Sequence, residues 1–484
     1  MPVERPLPRR AYADARGAGV RRLALWTGLL AAACGGARAP APANVASIEV
    51  TPPAAAAPSC GAGAFAFETM RSLADEVGPR LAGSPGDARA VAWALKTFAA
   101  AGFSSVRAEA VQAPVWQRVA ESASLVEPPM SLAVAALGGS VSTPPGGVTG
   151  EVVRFESLDA LRRTEADLTG KIAFIDVVTA RTRDGSGYGQ AVGARIAGAS
   201  AAAKRGAMAM VVRSIGTEAS RLPHTGAMGY DKDLPRIAAA ALSTNDADLL
   251  TRTLKRDPHA KLRLSIETRT LPDAATANVM AEVPGVSEEL VVLGAHLDSW
   301  DLGRGAIDDG AGVGLVVAAA HELLAGPKPA RTVRVVLFAA EENSGAGGKA
   351  YAAAHAAEAA RHFAALEADL GAGAAWGVRV LTASAQSNAA RGLFSGIPDV
   401  EVLGADASGG ADVGGLRALG VPIVDVMQNA EHYFDVHHTA ADVPEVVDRA
   451  AMERAACVFA RVTRTLANTD VQLGRVEEAR RSKH

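Results

Sequence analysis

The chain has 484 residues, of which 49% are hydrophobic and 21% charged, with a formal net charge of −3. That length suggests two or three structural units, and the apolar fraction supports a large core and excludes global disorder. The near-neutral balance argues against a nucleic-acid binder, and three cysteines exclude both a disulfide scaffold and a four-cysteine zinc site.

Arg5, Arg9, Arg10, Arg16, Arg21 and Arg22 precede an apolar run from Leu23 to Ala33. The run is too short to span a bilayer and has the length of a signal-peptide core. It leads into Cys34-Gly35-Gly36, which resembles a bacterial lipobox, although Ala31 stands where leucine is usual. Residues 1–33 are therefore predicted to be a signal peptide, with lipidation at Cys34 and anchoring to the cell envelope. Cleavage to a periplasmic or secreted product is the alternative. Residues 34–64 are rich in Ala and Pro and read as a flexible tether. Export leaves Cys60 and Cys457 as candidate disulfide partners, a pairing that needs a proximity the sequence does not show.

Helical periodicity follows at 66–82 and 86–101, then a strand near 106–111. From 114 to 270, short strands (150–155, 171–177) and one helix–strand unit (195–212) are separated by Gly/Pro turns. This stretch reads as a strand-rich inserted domain. From 276 onward, strands at 290–295, 332–339, 363–368, 378–381 and 421–427 alternate with helices at 310–324, 348–360 and 445–467. Such alternation predicts an α/β domain with a mostly parallel core sheet. It would be assembled from 65–113 and 271–470, with a polar tail at 471–484. An aromatic content of 4%, with alanine filling many apolar positions, implies closely packed helices.

Five acidic and histidine clusters stand out. They are His296-Leu297-Asp298, Asp308-Asp309, Glu341-Glu342, Glu367-Ala368-Asp369 and His437-His438 with Asp442 beyond. Each alone has an ordinary reading: two aspartates before a helix are usually caps, and a charged pair after a strand is usually solvated. Four of the five, however, follow a predicted strand or a short loop from one. Sites in open α/β sheets form outside the carboxyl ends of the strands. His296, Asp308, Glu342, Asp369 and His438 can therefore converge as two imidazoles and three carboxylates, a donor set suited to zinc or a similar divalent ion. Five ligands exceed one tetrahedral site that also holds water, so two ions sharing a carboxylate fit better. Spacing does not decide whether Asp308 or Asp309 bridges. Glu341, beside a ligand, is a candidate general base, and Asp298 is a candidate to orient His296.

The segments HLDSWDLGRGAIDDGAG (296–312), VWQRVAESASL (115–125), PHTG (223–226), NVMAEVPG (278–285), LFAAEENSGAGG (337–348), EADLGA (367–372) and YFDVHHTAAD (433–442) together carry a resemblance. The chain resembles the carboxypeptidase Q-like branch of the di-zinc aminopeptidase and glutamate carboxypeptidase family. That resemblance implies one zinc on His296, Asp308 and Asp369 and another on Asp308, Glu342 and His438. It makes Glu341 the general base and Asp298 the orienter of His296. It further implies that the inserted segment is of the protease-associated type, that the substrate is a dipeptide or short peptide, and that the chain forms a homodimer. Asp412, in a family loop lining the cleft, and His224, in the insertion, become candidate substrate contacts. A glutaminyl cyclase-type transferase on the same fold and a non-catalytic binding lipoprotein are the competing readings. The long insertion argues against the first, and the intact ligand set against the second.

Overall fold

The computed structural model describes residues 60–482; the expected signal peptide, Cys34 and nearly all of the tether lie outside them. Fourteen strands form one mixed sheet among the described residues. In chain order they are β1 (Ser104–Leu125), β2 (Met130–Leu132), β3 (Val134–Ala136), β4 (Val148–Phe155), β5 (Lys171–Ile175), β6 (Ala209–Arg213) and β7 (Ala238–Leu242). The others are β8 (Lys261–Val283), β9 (Ser287–His296), β10 (Arg331–Phe338), β11 (His362–Glu367), β12 (Ala375–Leu381), β13 (Glu401–Val402) and β14 (Ile423–Gln428). The spatial order is β13-β12-β14-β11-β9-β10-β8-β4-β5-β6-β7-β3, with β1 pairing β8 and β2.

At the centre, β14, β11, β9 and β10 run parallel, so their carboxyl ends share one edge. Antiparallel β12 and β8 flank them, which makes the sheet mixed rather than mostly parallel. Both faces are covered, which explains why the central strands are continuous apolar runs. Val333, Val335 and Leu337 face one apolar cluster, while Val336 and Phe338 face the other. The first cluster is completed by helices Gly61–Glu76, Pro85–Ala100, Ala311–Leu324 and Arg449–Asn468. Small residues let these helices approach closely, as the alanine content implies: a Cβ on Gly314 would sit 2.4 Å from the Ala66 carbonyl oxygen.

Two expectations change. The first helix begins at Gly61 rather than 66, and Cys60 precedes it as the cap residue, so the tether ends earlier than 64. Cys60 is disulfide-bonded to Cys457 in the last helix, closing a loop between residues 397 positions apart. The expected boundaries at 114 and 270 fall inside continuous strands. β1 and β8 pair antiparallel from Ser104↔Glu282 to Leu125↔Leu262, crossing both positions. The ladder shifts register between Ala113 and Val115, where Pro114 has no N–H to contribute. Pro114 therefore marks a bulge within a continuous strand. The intervening segment extends the same sheet while having apolar clusters of its own: Ile172 and Phe174 face one, Ala173 and Ile175 the other.

Candidate metal centre

Four of the clusters lie at or just beyond the carboxyl ends of neighbouring strands. His296 is the last residue of β9, Glu341 and Glu342 follow β10, Asp369 follows β11, and His438 lies in the loop after β14. Asp308 comes from the turn that enters helix Ala311–Leu324. Two of these positions sit in left-handed backbone on non-glycine residues: Ala340, just before the Glu pair, with φ 55°, and His438 with φ 62°. Such conformations cost on the order of 1–3 kcal/mol and persist where the surrounding packing over-determines them.

The carboxylate of Asp308 lies between the two imidazoles. Its Oδ1 is 3.1 Å from Nε2 of His296, and its Oδ2 is 3.1 Å from Nε2 of His438. Asp369 Oδ1 lies 3.7 Å from His296 Nε2, and Glu342 Oε2 lies 3.1 Å from His438 Nε2. Asp308 Oδ2 and Glu342 Oε1 are buried yet form no hydrogen bond. Buried carboxylate oxygens that face imidazoles without a hydrogen bond fit cations, and overlapping sets including His296–Asp308–Glu342 and Asp308–His437–His438 have ligand atoms close enough to hold them.

The two aspartates of the turn differ in what their oxygens do. Asp309 accepts the backbone N–H of His296 with one oxygen and that of Gly312 with the other, both at 3.0 Å. It also offers an atom to a third candidate set, with His296 and Asp369, whereas Asp308 has an oxygen toward each imidazole.

Burial and mutual repulsion dominate the electrostatics. Burial, reinforced by Asp308, pushes Glu342 up to about 7. Burial likewise holds Glu341 well above the usual carboxylate range, with His296 opposing and Asp369 and Glu342 adding to the effect. Burial opposes charge on His296, but Asp298, Asp308 and Asp369 raise it well above its ordinary value. Burial opposes charge on His438 as well, and Glu342 and Asp308 raise it. Such a cluster holds its negative charge only by sharing protons or by binding cations.

Asp298 supports this arrangement. Its carboxylate accepts the backbone N–H groups of Glu341 (2.9 Å) and Glu342 (3.2 Å), tying the β10 loop to the β9 loop. The Nδ1 atom of His296 lies 3.1 Å from the Asp298 carbonyl and 3.7 Å from its carboxylate, so the main chain shares the orienting role.

A cleft of about 830 Å³ opens onto the centre, lined by Glu341, Glu342, Asp308, Asp369, His437 and His438, and from the inserted segment by Tyr188, Gly189, Arg195 and Ala227. Neither candidate substrate contact lines it. His224 is buried with Nε2 2.9 Å from Glu218 and its backbone N–H on Ser214. Asp412 is buried behind the site, where burial and Glu367 push its pKa well up.

Sequence reasoning missed three supporting residues. Asp442 was noted without a role. It accepts the N–H groups of Ile307 (2.6 Å) and Asp308 (3.3 Å), and its place four residues beyond His438 was the available signal. His437 stacks on His438 with centroids 3.5 Å apart, its Nε2 3.5 Å from Asp308. Arg80, fully buried, donates to the carbonyls of Leu297 (2.6 Å), Arg304 and Gly305 (both 2.8 Å), bracing the loop between His296 and Asp308. No sequence pattern marks it, because the loop carbonyls it holds lie more than 200 residues away.

Comparison with known proteins points to one family. The model of peptidase family M28 matches residues 278–463. Carboxypeptidase Q of Bos taurus is 34% identical over 418 residues, covering 84% of this chain and 86% of that protein. Carboxypeptidase Q of Homo sapiens is 32% identical over 415 residues. A crystal structure of a peptidase M28 precursor from Shewanella amazonensis is 44% identical with a TM-score of 0.84, covering 86% of this chain and 96% of that one. A zinc aminopeptidase from Bacillus subtilis shares the fold at 19% identity and a TM-score of 0.62, covering 85% of this chain and 98% of its own.

Proposed function

The chain belongs to peptidase family M28, and from that premise we propose that it is an exported di-zinc exopeptidase that hydrolyses dipeptides or short peptides. The observation that carries this reading is the Asp308 carboxylate, with one oxygen toward each imidazole, beside a cleft that Glu341 also lines. His296, Asp308 and Asp369 would hold one ion, and Asp308, Glu342 and His438 the other. Two such ions supply Lewis acidity for the scissile carbonyl and lower the pKa of a water.

The chain's own groups do the rest. Glu341 takes the proton from the attacking water and delivers it to the leaving amine, from its place in the cleft wall beside Glu342. Asp298 holds the Glu341 main chain in register with His296 through the N–H it accepts. Arg80 and Asp442 keep the 297–308 loop from relaxing around the bridging carboxylate. The segment 114–270 acts as a protease-associated type insertion that walls one side of the cleft, a role supported by Tyr188 and Arg195 among the lining residues. Export with a lipid anchor at Cys34, and a homodimer, belong to the same proposal; the signal pattern supports the first and the family resemblance the second.

The test is Glu341→Gln in zinc-loaded protein. Dipeptide hydrolysis should fall by roughly 10²–10⁴-fold with zinc content unchanged. Chelator should abolish wild-type turnover and added zinc restore it. Wild-type rates in the variant would overturn the assignment.

A further inference from the structure

The turn Pro223-His224-Thr225-Gly226 belongs to the inserted segment, and Thr225 lies 213 positions before His438. Its main chain nevertheless meets that ligand twice. The Thr225 N–H donates to the His438 carbonyl at 3.0 Å, and the Thr225 carbonyl lies 3.3 Å from Nδ1 of the ring. Gly226 follows with φ 132°, a conformation that residues with a Cβ rarely adopt, and a Cβ there would sit 2.7 Å from His438 Nδ1. The turn is anchored on three sides. The fully buried Thr225 donates its hydroxyl to the Ala136 carbonyl at the end of β3 (2.8 Å), and the Gly226 carbonyl accepts the Gly138 N–H at 2.9 Å. The His224 N–H reaches the Ser214 hydroxyl just beyond β6 at 2.8 Å. Arg118 of β1 donates through Nη2 to the Thr225 hydroxyl at 2.9 Å.

His438 needs such support. Its backbone is left-handed at φ 62°, which a residue with a Cβ keeps only where its surroundings impose it. A histidine that offers Nε2 to a cation carries its proton on Nδ1, and the group that accepts this proton fixes both the tautomer and the ring angle. Nη1 of Arg195 also approaches Nδ1, at 3.4 Å, but a guanidinium has only protons to offer, so the Thr225 carbonyl is the acceptor. The same bracing reaches a second ligand loop. Arg118 meets both oxygens of Asp301, at 2.9 and 3.2 Å, and Asp301 sits between His296 and Asp308. One arginine of β1 thus joins that loop to the turn that holds His438.

We propose that the 223–226 turn is an outer support of the metal centre, with Thr225 as the positioning residue of the ligand His438. The proposal rests on the two-ion reading above and extends it, because the inserted segment then completes one of the two ion sites besides walling the cleft. The ion held by Asp308, Glu342 and His438 depends on this turn, whereas His296 and Asp369 are carried by β9 and the residues after β11. The Pro-His-Thr-Gly pattern serves the ligand and not the substrate: His224 faces Glu218, and Thr225 and Gly226 face His438.

The test measures zinc binding without turnover, by titrating metal-stripped protein in competition with a chelator of known affinity, which resolves an affinity for each ion. Thr225→Val removes the hydroxyl that fixes the turn while keeping the side chain's shape, and Gly226→Ala sets a methyl group against His438 Nδ1. Each should lower one of the two affinities by about 10–100-fold and leave the other unchanged. Thr225→Ser keeps the hydroxyl and should retain both wild-type affinities. Asp176→Asn controls for a general loosening of the insertion, because Asp176 joins Arg154, Arg213 and Thr251 within it. It should lower the thermal midpoint and leave both zinc affinities unchanged. The proposal is overturned if either Thr225→Val or Gly226→Ala binds both ions as the wild type does, or if Asp176→Asn weakens zinc as much as they do. Dipeptide hydrolysis, recorded alongside, separates this inference from the peptidase reading. A wild type that binds two ions and cleaves nothing overturns that reading alone, and the zinc affinities still decide the role of Thr225. A wild type that binds no zinc overturns both.

Discussion

Asp298→Asn changes one atom at a group 1% exposed to solvent and should uncouple two loops at once. In the native chain each carboxylate oxygen accepts a backbone N–H, from Glu341 at 2.9 Å and from Glu342 at 3.2 Å. An amide has only one oxygen, so whichever way it flips, an NH₂ group faces a buried N–H. One charge-assisted hydrogen bond is lost and one donor is orphaned, which costs about 2–3 kcal/mol. The ring proton of His296 keeps the Asp298 carbonyl at 3.1 Å, so the tautomer survives while the Glu341-Glu342 main chain loses its anchor. Zinc affinity should then fall by roughly 10–100-fold, the scale seen when a partner of a ligand is altered. The assays are the thermal midpoint of metal-stripped protein and competition for zinc against a chelator of known affinity. A variant with both the wild-type midpoint and the wild-type zinc affinity would refute the claim that Asp298 couples the β9 and β10 loops.

Two other outcomes follow from groups remote from the cleft. His362 is buried, with Nδ1 on the Glu358 carbonyl and Nε2 beside the Tyr351 hydroxyl, and burial pushes its pKa down to about 4. The unfolded chain takes up that proton near pH 6.5, so this contribution to stability is complete above that pH and is lost as pH falls toward about 4. His362→Gln should therefore flatten the fall of the thermal midpoint between those values; parallel curves for variant and wild type would count against it. The Cys60–Cys457 bond closes a loop between residues 397 positions apart, so Cys457→Ser should lower stability by about 2–5 kcal/mol, read as a lower midpoint. An unchanged midpoint would mean that helix packing alone holds the first helix against the last.

Much of the centre was legible in the chain because its chemistry is local. His296, the Asp308-Asp309 pair, the Glu341-Glu342 pair, Asp369 and His438 each sit next to an apolar strand or at a helix entrance, and period and turn residues reveal those elements without a partner. The rule that sites lie beyond strand carboxyl ends then brings them to one edge, as the parallel β14-β11-β9-β10 core does. What the sequence determined by itself was therefore the donor set, the order of elements around it and the absence of a cysteine site. The tertiary structure alone decided the rest, because each remaining question concerned distance between segments far apart in the chain. Which aspartate offers an oxygen to each imidazole depends on what the other already accepts. Whether Cys60 meets Cys457 depends on how the first and last helices pack. Whether 114–270 stands apart depends on β1 and β8 running through both expected boundaries.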